Sequence, residues 1–188
     1  MLKRILDIFF VIFSVPFLAV LVVPIAIIIK LDSPGPIFLS QIRLGRDKKH
    51  FTIYKFRTMV ATMDDRASHE ASTDMITNVG RFLRKSKLDE IPQLWNVFIG
   101  TMSLVGPRPC LPSQHELVAL RDAKGVFGVR PGITGLAQLY RVDMSAPDEL
   151  ADFDTYYVKT RTFLGDLVII LKTLLGRGRG DGIGRSVN

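Results

Sequence analysis

The adjacent carboxylates Asp89 and Glu90 are the residues of this 188-residue sequence best placed to do chemistry. Four cations, Arg81, Arg84, Lys85 and Lys87, lie in the nine residues before them. Such neighbours keep both carboxylates ionised. Pro92 suits the first turn of a helix over PQLWNVFIG, and a helix start offers unpaired N–H groups to a phosphate. An ionised aspartate can ligate a divalent metal or attack phosphorus as a nucleophile. A solvated acidic pair balancing a basic helix has the same pattern, so the residues alone leave both readings open.

Gly106-Pro107-Arg108-Pro109 is a second candidate. Two prolines around one arginine deny the segment helical geometry and fix its backbone. Arg108 can then present its planar fork to a phosphate with little ordering cost, or can simply sit on a rigid surface turn. Arg130, opening Arg130-Pro131-Gly132-Ile133-Thr134-Gly135, repeats the idea as a further phosphate-binding candidate. Lys55 and Arg57 flank Phe56 at the end of a strand-like run, and alternation places both cations on one side of it. The three histidines, His50, His69 and His115, are scattered and the chain has one cysteine, which argues against zinc and against a disulfide framework.

These residues must be positioned beside an apolar segment. From Ile8 to Ile29 there are 22 residues without a charge. As one helix they reach about 33 Å, enough to span a bilayer. A cleaved signal peptide is disfavoured, because the run is too long and passes straight into Lys30-Leu31-Asp32. Pro16 and Pro24 interrupt helical bonding, and basic residues flank both ends: Lys3 and Arg4 before, Lys30, Arg43 and Arg46 after. A helix that bends and leaves by the face it entered satisfies both flanks. Re-entrant and spanning helices both remain open on the residues alone.

The remaining chain reads as alternating helices and short strands. Ile37–Arg43 and Phe51–Phe56 are strands joined at Gly45–Lys49. Val79–Lys87 is a basic amphipathic helix, with Phe82 and Leu83 on its apolar side. Residues 60–77 read as a mobile loop or weak helix, and the Gly/Arg tail after Leu175 as a flexible end. Phe163–Leu175 is apolar but carries Asp166 and Lys172. It is too short to span, so it is a core helix or lies in the interface plane, core being the safer assignment. No dinucleotide or GKS/T phosphate loop is present. The balance of 25 Lys+Arg against 18 Asp+Glu lies almost wholly outside the apolar run. A basic body on a greasy anchor points to an anionic partner at a membrane surface and away from a secreted soluble protein.

Several ordered motifs now act together: KLDSPGPIFLSQIRLG, FTIYKFRTM, KLDEIPQLWNV with MSLVGPRP, VRPGITGLAQ and FDTYYV. With Lys3-Arg4 and Asp7 in front, they closely resemble the bacterial sugar transferase family, the monotopic phosphoglycosyl transferases, over nearly the whole chain. The resemblance implies an α/β fold: a small mixed helix and short-strand cytoplasmic head, one N-terminal re-entrant membrane helix, and interface-lying amphipathic helices. The division it implies is residues 1–32 in the membrane, a catalytic domain over 33–175 and a basic tail over 176–188. It implies transfer of a sugar-1-phosphate from a UDP-sugar to polyprenyl phosphate, such as undecaprenyl phosphate, with release of UMP. Mg²⁺ is the implied cofactor and the bacterial cytoplasmic membrane the implied location. The family's catalytic pair lands on Asp89, as nucleophile, and Glu90, both near the metal; its basic positions land on Lys55, Arg84 and Arg108. The chain resembles the minimal form of the family, which begins at the catalytic core. After GLAQ, where some members carry an Asn-Gly-Arg-like stretch, the sequence is Leu139-Tyr140-Arg141-Val142, and Arg141 is the basic residue available there. A homodimer fits such a membrane protein, though no residue argues for it.

Two other classes compete. A non-catalytic, membrane-anchored scaffold binding anionic lipid explains the charge and the anchor but gives Asp89-Glu90 and GPRP no role. A nucleic-acid binder is suggested by the net charge of +7 alone, and no recognisable module supports it.

Overall fold

The computed structural model describes residues 2–60 and 75–176. The loop or weak helix expected at 60–77 and the tail at 176–188 lie almost entirely outside the described residues. In chain order the elements are α1 (Leu2–Asp32), β1 (Phe38–Leu44), β2 (His50–Phe56), α2 (Asn78–Ser86), α3 (Gln93–Ile99), β3 (Ser103–Val105) and α4 (His115–Ala123). They continue with β4 (Gly132–Thr134), α5 (Leu136–Leu139), α6 (Pro147–Thr160) and α7 (Phe163–Leu174). The chain is thus a mixed helix and short-strand fold with one long apolar N-terminal helix.

Helix α1 runs without interruption through Pro16 and Pro24. Each proline removes one bond to the carbonyl four residues back, and the turns on either side still carry the helix. Both ends of α1 are tied to the same folded body. At the start, Lys3 Nζ donates to Asp166 (2.6 Å), Arg4 donates to the carbonyls of Val97 and Phe98, and buried Asp7 accepts from Ser103 Oγ (2.9 Å) and Leu104 N (3.0 Å). At the end, Arg57 donates to the carbonyls of Ile29, Ser33 and Pro34, while Asp32 accepts from Val79 N (3.2 Å). Arg57 thus satisfies carbonyls that a helix C-terminus leaves open. Between these anchors Phe13, Phe17 and Val20 are 62%, 63% and 73% exposed.

Strands β1 and β2 form the expected antiparallel hairpin, from Phe38 opposite Phe56 to Leu44 opposite His50. Its turn is closed by Asp47 and Lys48 in the left-handed region (φ 57° each). Phe56, with Leu83 of α2 and Ile25 and Ile29 of α1, makes one core. Phe82, expected on the apolar side of α2, instead faces outward at 63% exposure; the helix buries Leu83 and Gly80. Gly80 passes so close to the chain after β2 that a Cβ would sit 1.9 Å from the Thr58 carbonyl oxygen. A second core of Leu44, Cys110, Leu117, Phe127, Leu150 and Ala151 joins the hairpin to α4 and α6.

Helix α7 departs from the core assignment. Asp166 and Ile169 face inward, while Leu164, Val168, Leu171 and the adjoining Leu175 form an exposed stripe at helical spacing. The sequence could not separate these faces, because α7 is apolar nearly all round. On α3, Trp95, Phe98 and Ile99 are likewise exposed, next to the Arg4 anchor of α1.

The Asp7 anchor is directly testable. Asp7→Ala strips the acceptors from a buried serine hydroxyl and a strand N–H, each worth roughly 1–3 kcal/mol when left unmade. Thermal unfolding in detergent should show a midpoint several degrees below wild type; an unchanged midpoint would show that the anchor is dispensable.

Candidate active site

Lys87 ends α2 in the left-handed conformation (φ 59°), and the reversal leads into a 3-10 turn, Leu88–Glu90. A lysine tolerates this position only at some backbone cost, so the reversal is set by the packing on either side of it. Asp89 and Glu90 are 5% and 8% exposed, which overturns the solvated-pair reading of the sequence. Behind the turn, Asn96 of α3 ties the segment to the hairpin. Its Nδ2 donates to Thr52 O (2.7 Å), and its Oδ1 accepts from Tyr54 N (3.3 Å), as a neighbouring strand would.

The cations that meet Glu90 are remote in sequence. Lys55 Nζ of β2 donates to Glu90 Oε1 (2.9 Å), and Arg108 Nη2 donates to the same oxygen (3.0 Å). Burial pushes the Glu90 carboxyl up. Lys55 and Arg108, with a smaller pull from Lys87, outweigh that and hold it well below the usual carboxylate range. Arg84 donates through Nε to Thr58 Oγ1 (2.8 Å), which orients its guanidinium across the same cleft. Arg84, Lys87, Arg108 and Arg141 line that cleft together with both acidic residues.

The GPRP turn is built against the second glycine-rich turn. Gly106 N donates to Thr134 O and Gly132 N to Pro107 O, each at 2.9 Å, tying the two turns together beside the parallel β3–β4 pair. A Cβ on Gly132 would lie 2.1 Å from Gly106 N, so the approach admits glycine alone. Arg130 lies apart from the carboxylates: its Nε donates to Gly100 O (2.7 Å), at the end of α3. The structure therefore brings together Asp89, Glu90, Lys55, Arg84 and Arg108, and leaves Arg130 outside the group. Asp154 also lines the cleft, buried against Arg121, and burial pushes its carboxyl up while Arg121 pulls it back. Sequence reading passed over both Asp154 and Arg121. Asp154 stands inside FDTYYV, whereas Arg121 carries no local signal.

Mg²⁺ binds one or two carboxylates and takes its other ligands from water and substrate phosphates. Among the described residues there is no group of three or more His, Cys, Asp or Glu able to cage a metal. Asp89 and Glu90 are adjacent carboxylates in a cleft open to an anion, and this donor set fits an ion completed by phosphate oxygens.

The sequence matches the profile of the family described as Bacterial sugar transferase over residues 1–178. The chain belongs to the bacterial sugar transferase family. It is therefore a transferase. It is 37% identical to the UDP-N-acetylgalactosamine-undecaprenyl-phosphate N-acetylgalactosaminephosphotransferase of Aeromonas hydrophila, covering 92% of this chain and 43% of that protein. It is 38% identical to the UDP-glucose:undecaprenyl-phosphate glucose-1-phosphate transferase of Caulobacter vibrioides, over 92% of this chain and 68% of that one. It is 36% identical to the exopolysaccharide production protein PSS of Rhizobium leguminosarum bv. phaseoli, over 95% and 98% respectively. The chain thus spans less than half of the Aeromonas protein and nearly all of the Rhizobium one.

Glu90 supplies a stability test in this transferase. Its depressed carboxyl contributes stability that is fully present above the unfolded value of roughly 4.3 and is lost as pH falls toward the folded value. Lys55→Ala removes one of the two cations. At pH 7 it should destabilise by less than the roughly 3–5 kcal/mol of a fully broken buried pair, because Arg108 remains. The gap between variant and wild type should narrow in denaturant melts taken below pH 4. A gap independent of pH would show that Lys55 acts through packing alone.

Proposed function

We propose that this protein transfers a sugar-1-phosphate from a UDP-sugar to polyprenyl phosphate, undecaprenyl phosphate in a bacterial membrane, and releases UMP. The product would enter assembly of a lipid-linked glycan. The observation that carries the reading is the pair Asp89 and Glu90, buried at the back of a cleft lined by Arg84, Lys87, Arg108 and Arg141. Both substrates are phosphate anions, and a cluster of fixed cations around a carboxylate nucleophile suits transfer between them. The Aeromonas and Caulobacter relatives, named for UDP-sugar to undecaprenyl-phosphate transfers, support the substrate class and differ from each other in the sugar.

In this scheme an Asp89 carboxylate oxygen attacks the sugar-bearing phosphorus of the UDP-sugar. The new aspartyl O–P bond forms as the bond to the bridging oxygen breaks, and UMP leaves with that electron pair. A phosphate oxygen of the polyprenyl phosphate then attacks the same phosphorus and displaces Asp89 as a carboxylate. Two steps suit a soluble donor and a membrane-held acceptor, because they need not occupy the site together. Glu90, held by Lys55 and Arg108, fixes the cationic wall against which the phosphoryl oxygens rest. Asp89 and Glu90 are the residues that would hold Mg²⁺, which supplies charge neutralisation for the diphosphate when bound.

The membrane arrangement belongs to the same proposal. Both ends of α1 are tied to one folded body while the apolar middle is exposed, as a helix entering and leaving one leaflet requires. The exposed stripe of α7 and the exposed face of α3 would lie in the headgroup region. Basic residues at both flanks of α1 support a head on the cytoplasmic side.

Two measurements test the reading. Incubation with UDP-sugar and Mg²⁺ but no lipid should add a sugar-phosphate mass to the intact protein, mapped to Asp89, with UMP released. Asp89→Asn should abolish both the adduct and turnover. UMP release that requires the lipid, with no adduct trapped, would instead mean single-step transfer. For topology, cysteines at Leu2 and Pro36 in a Cys110→Ser background should both react with an impermeant maleimide only from the cytoplasmic side. Labelling of either from the other side would establish a spanning helix.

A further inference from the structure

The segment Gly106–Cys110 has few backbone donors, because Pro107 and Pro109 carry no N–H. It is held by its acceptors. Four successive carbonyls each take a hydrogen bond, and the donors come from three separate parts of the chain. Pro107 O accepts from Gly132 N (2.9 Å), Arg108 O from Arg121 Nη1 (2.8 Å), Pro109 O from Arg43 Nη1 (3.3 Å) and Cys110 O from Leu44 N (3.0 Å). One of the four bonds falls on Arg108 itself, the residue whose guanidinium meets Glu90.

Arg121, on α4, is 2% exposed, and Asp154, on α6, is 3% exposed. Arg121 Nε and Nη2 both donate to Asp154 Oδ2, at 2.9 and 2.5 Å, which leaves Nη1 for the Arg108 carbonyl. All three guanidinium nitrogens are engaged, and the plane of the group is set by the two bonds to Asp154. A pair that merely joined α4 to α6 would need no third bond to the arginine of the cleft. Buried ion pairs are poor stabilisers relative to apolar side chains of the same size. Stability alone therefore does not account for the Arg121–Asp154 pair.

We propose that Arg121, oriented by Asp154, is a positioning residue for Arg108. It fixes the backbone from which the Arg108 guanidinium reaches Glu90 and the phosphoryl group. The proposal deepens the phosphotransfer reading and rests on it for its activity arm. A second arm is independent of that reading. Cys110 is the sole cysteine of the chain and is fully buried at the end of the held segment, so its native-state alkylation rate reports local opening there.

The test compares wild type with Arg121→Lys, which keeps a charge for Asp154 but cannot bond in three directions in one plane, and with the apolar pair Arg121→Met/Asp154→Leu. Variants are first checked for a cooperative thermal transition within a few degrees of wild type. In the folded variants Cys110 alkylation should rise about tenfold or more, as expected for a locally released segment. UMP release should fall roughly 10- to 100-fold, the scale of a misplacement of about 1 Å. In an Arg108→Ala background, Arg121→Lys should lower the rate by less than about twofold further, because residues acting as one unit are non-additive.

Wild-type Cys110 protection in a folded Arg121 variant would overturn the proposal. Losses from Arg121 and Arg108 that multiply as independent effects would do the same. Failure of both variants to fold would make the pair a structural element and overturn it equally. A wild-type protein that releases no UMP, with Cys110 still exposed by Arg121→Lys, would overturn the reaction reading and leave the positioning role standing.

Discussion

Two carboxylates side by side and almost out of water impose the central constraint on this fold. Removing Asp89 and Glu90 from solvent costs several kcal/mol per charge unless positive groups and donors are brought to them. The chain meets that cost from two directions. Lys55 arrives on the second strand of the hairpin, and Arg108 arrives from the turn after β3; both reach one oxygen of Glu90. The register of the hairpin, the docking of Asn96 onto β2 and the course of the GPRP turn must all agree for those contacts to form. A small error in any of them would strand a buried charge, so the acidic pair and the scaffold specify one another.

The same economy of polar contacts governs the apolar helix. A helix with so exposed a middle gains little from packing on the head, so its placement depends on its ends. Asp7 accepts from Ser103 and Leu104, and β3 runs on directly into Gly106 and Arg108. At the far end Arg57 satisfies the terminal carbonyls, one residue before Thr58, the hydroxyl that orients Arg84. The helix is therefore joined by short paths to two of the cationic residues of the cleft. In the proposed membrane arrangement, depth in a bilayer and geometry at the site would be set by one set of bonds, which suits one soluble and one membrane-held substrate.

Rigidity around the cleft comes from residue types that restrict the backbone. Prolines in the GPRP turn remove donors and fix φ, and glycines at 80 and 132 allow contacts that any Cβ would block. Arginines then fill the remaining acceptor positions. Arg57, Arg121 and Arg43 all spend buried guanidinium groups on main-chain carbonyls, a use in which five donors on a plane have no equivalent. The surplus of basic residues that first suggests an anionic partner is thus divided between lining the cleft and structural tasks.

Much of this was present in local sequence. The uncharged run at 8–29, the hairpin and the start of α3 at Pro92 follow from charge, periodicity and proline placement, which act over a few residues, and the same patterns marked Asp89, Glu90 and GPRP as candidates. The order of the motifs, through the family resemblance, implied that Lys55, Arg84 and Arg108 share one site with them. Tertiary structure alone decided which cations meet Glu90, since Lys55 lies 35 positions before it and Arg108 lies 18 after it. It also sent Arg130 to cap α3, turned Phe82 outward, split α7 into a buried and an exposed face, and paired Arg121 with Asp154 beneath Arg108. Those outcomes depend on the energy of closing distant segments around buried charge. A local pattern records which groups need partners, and only the folded chain can record which partners they find.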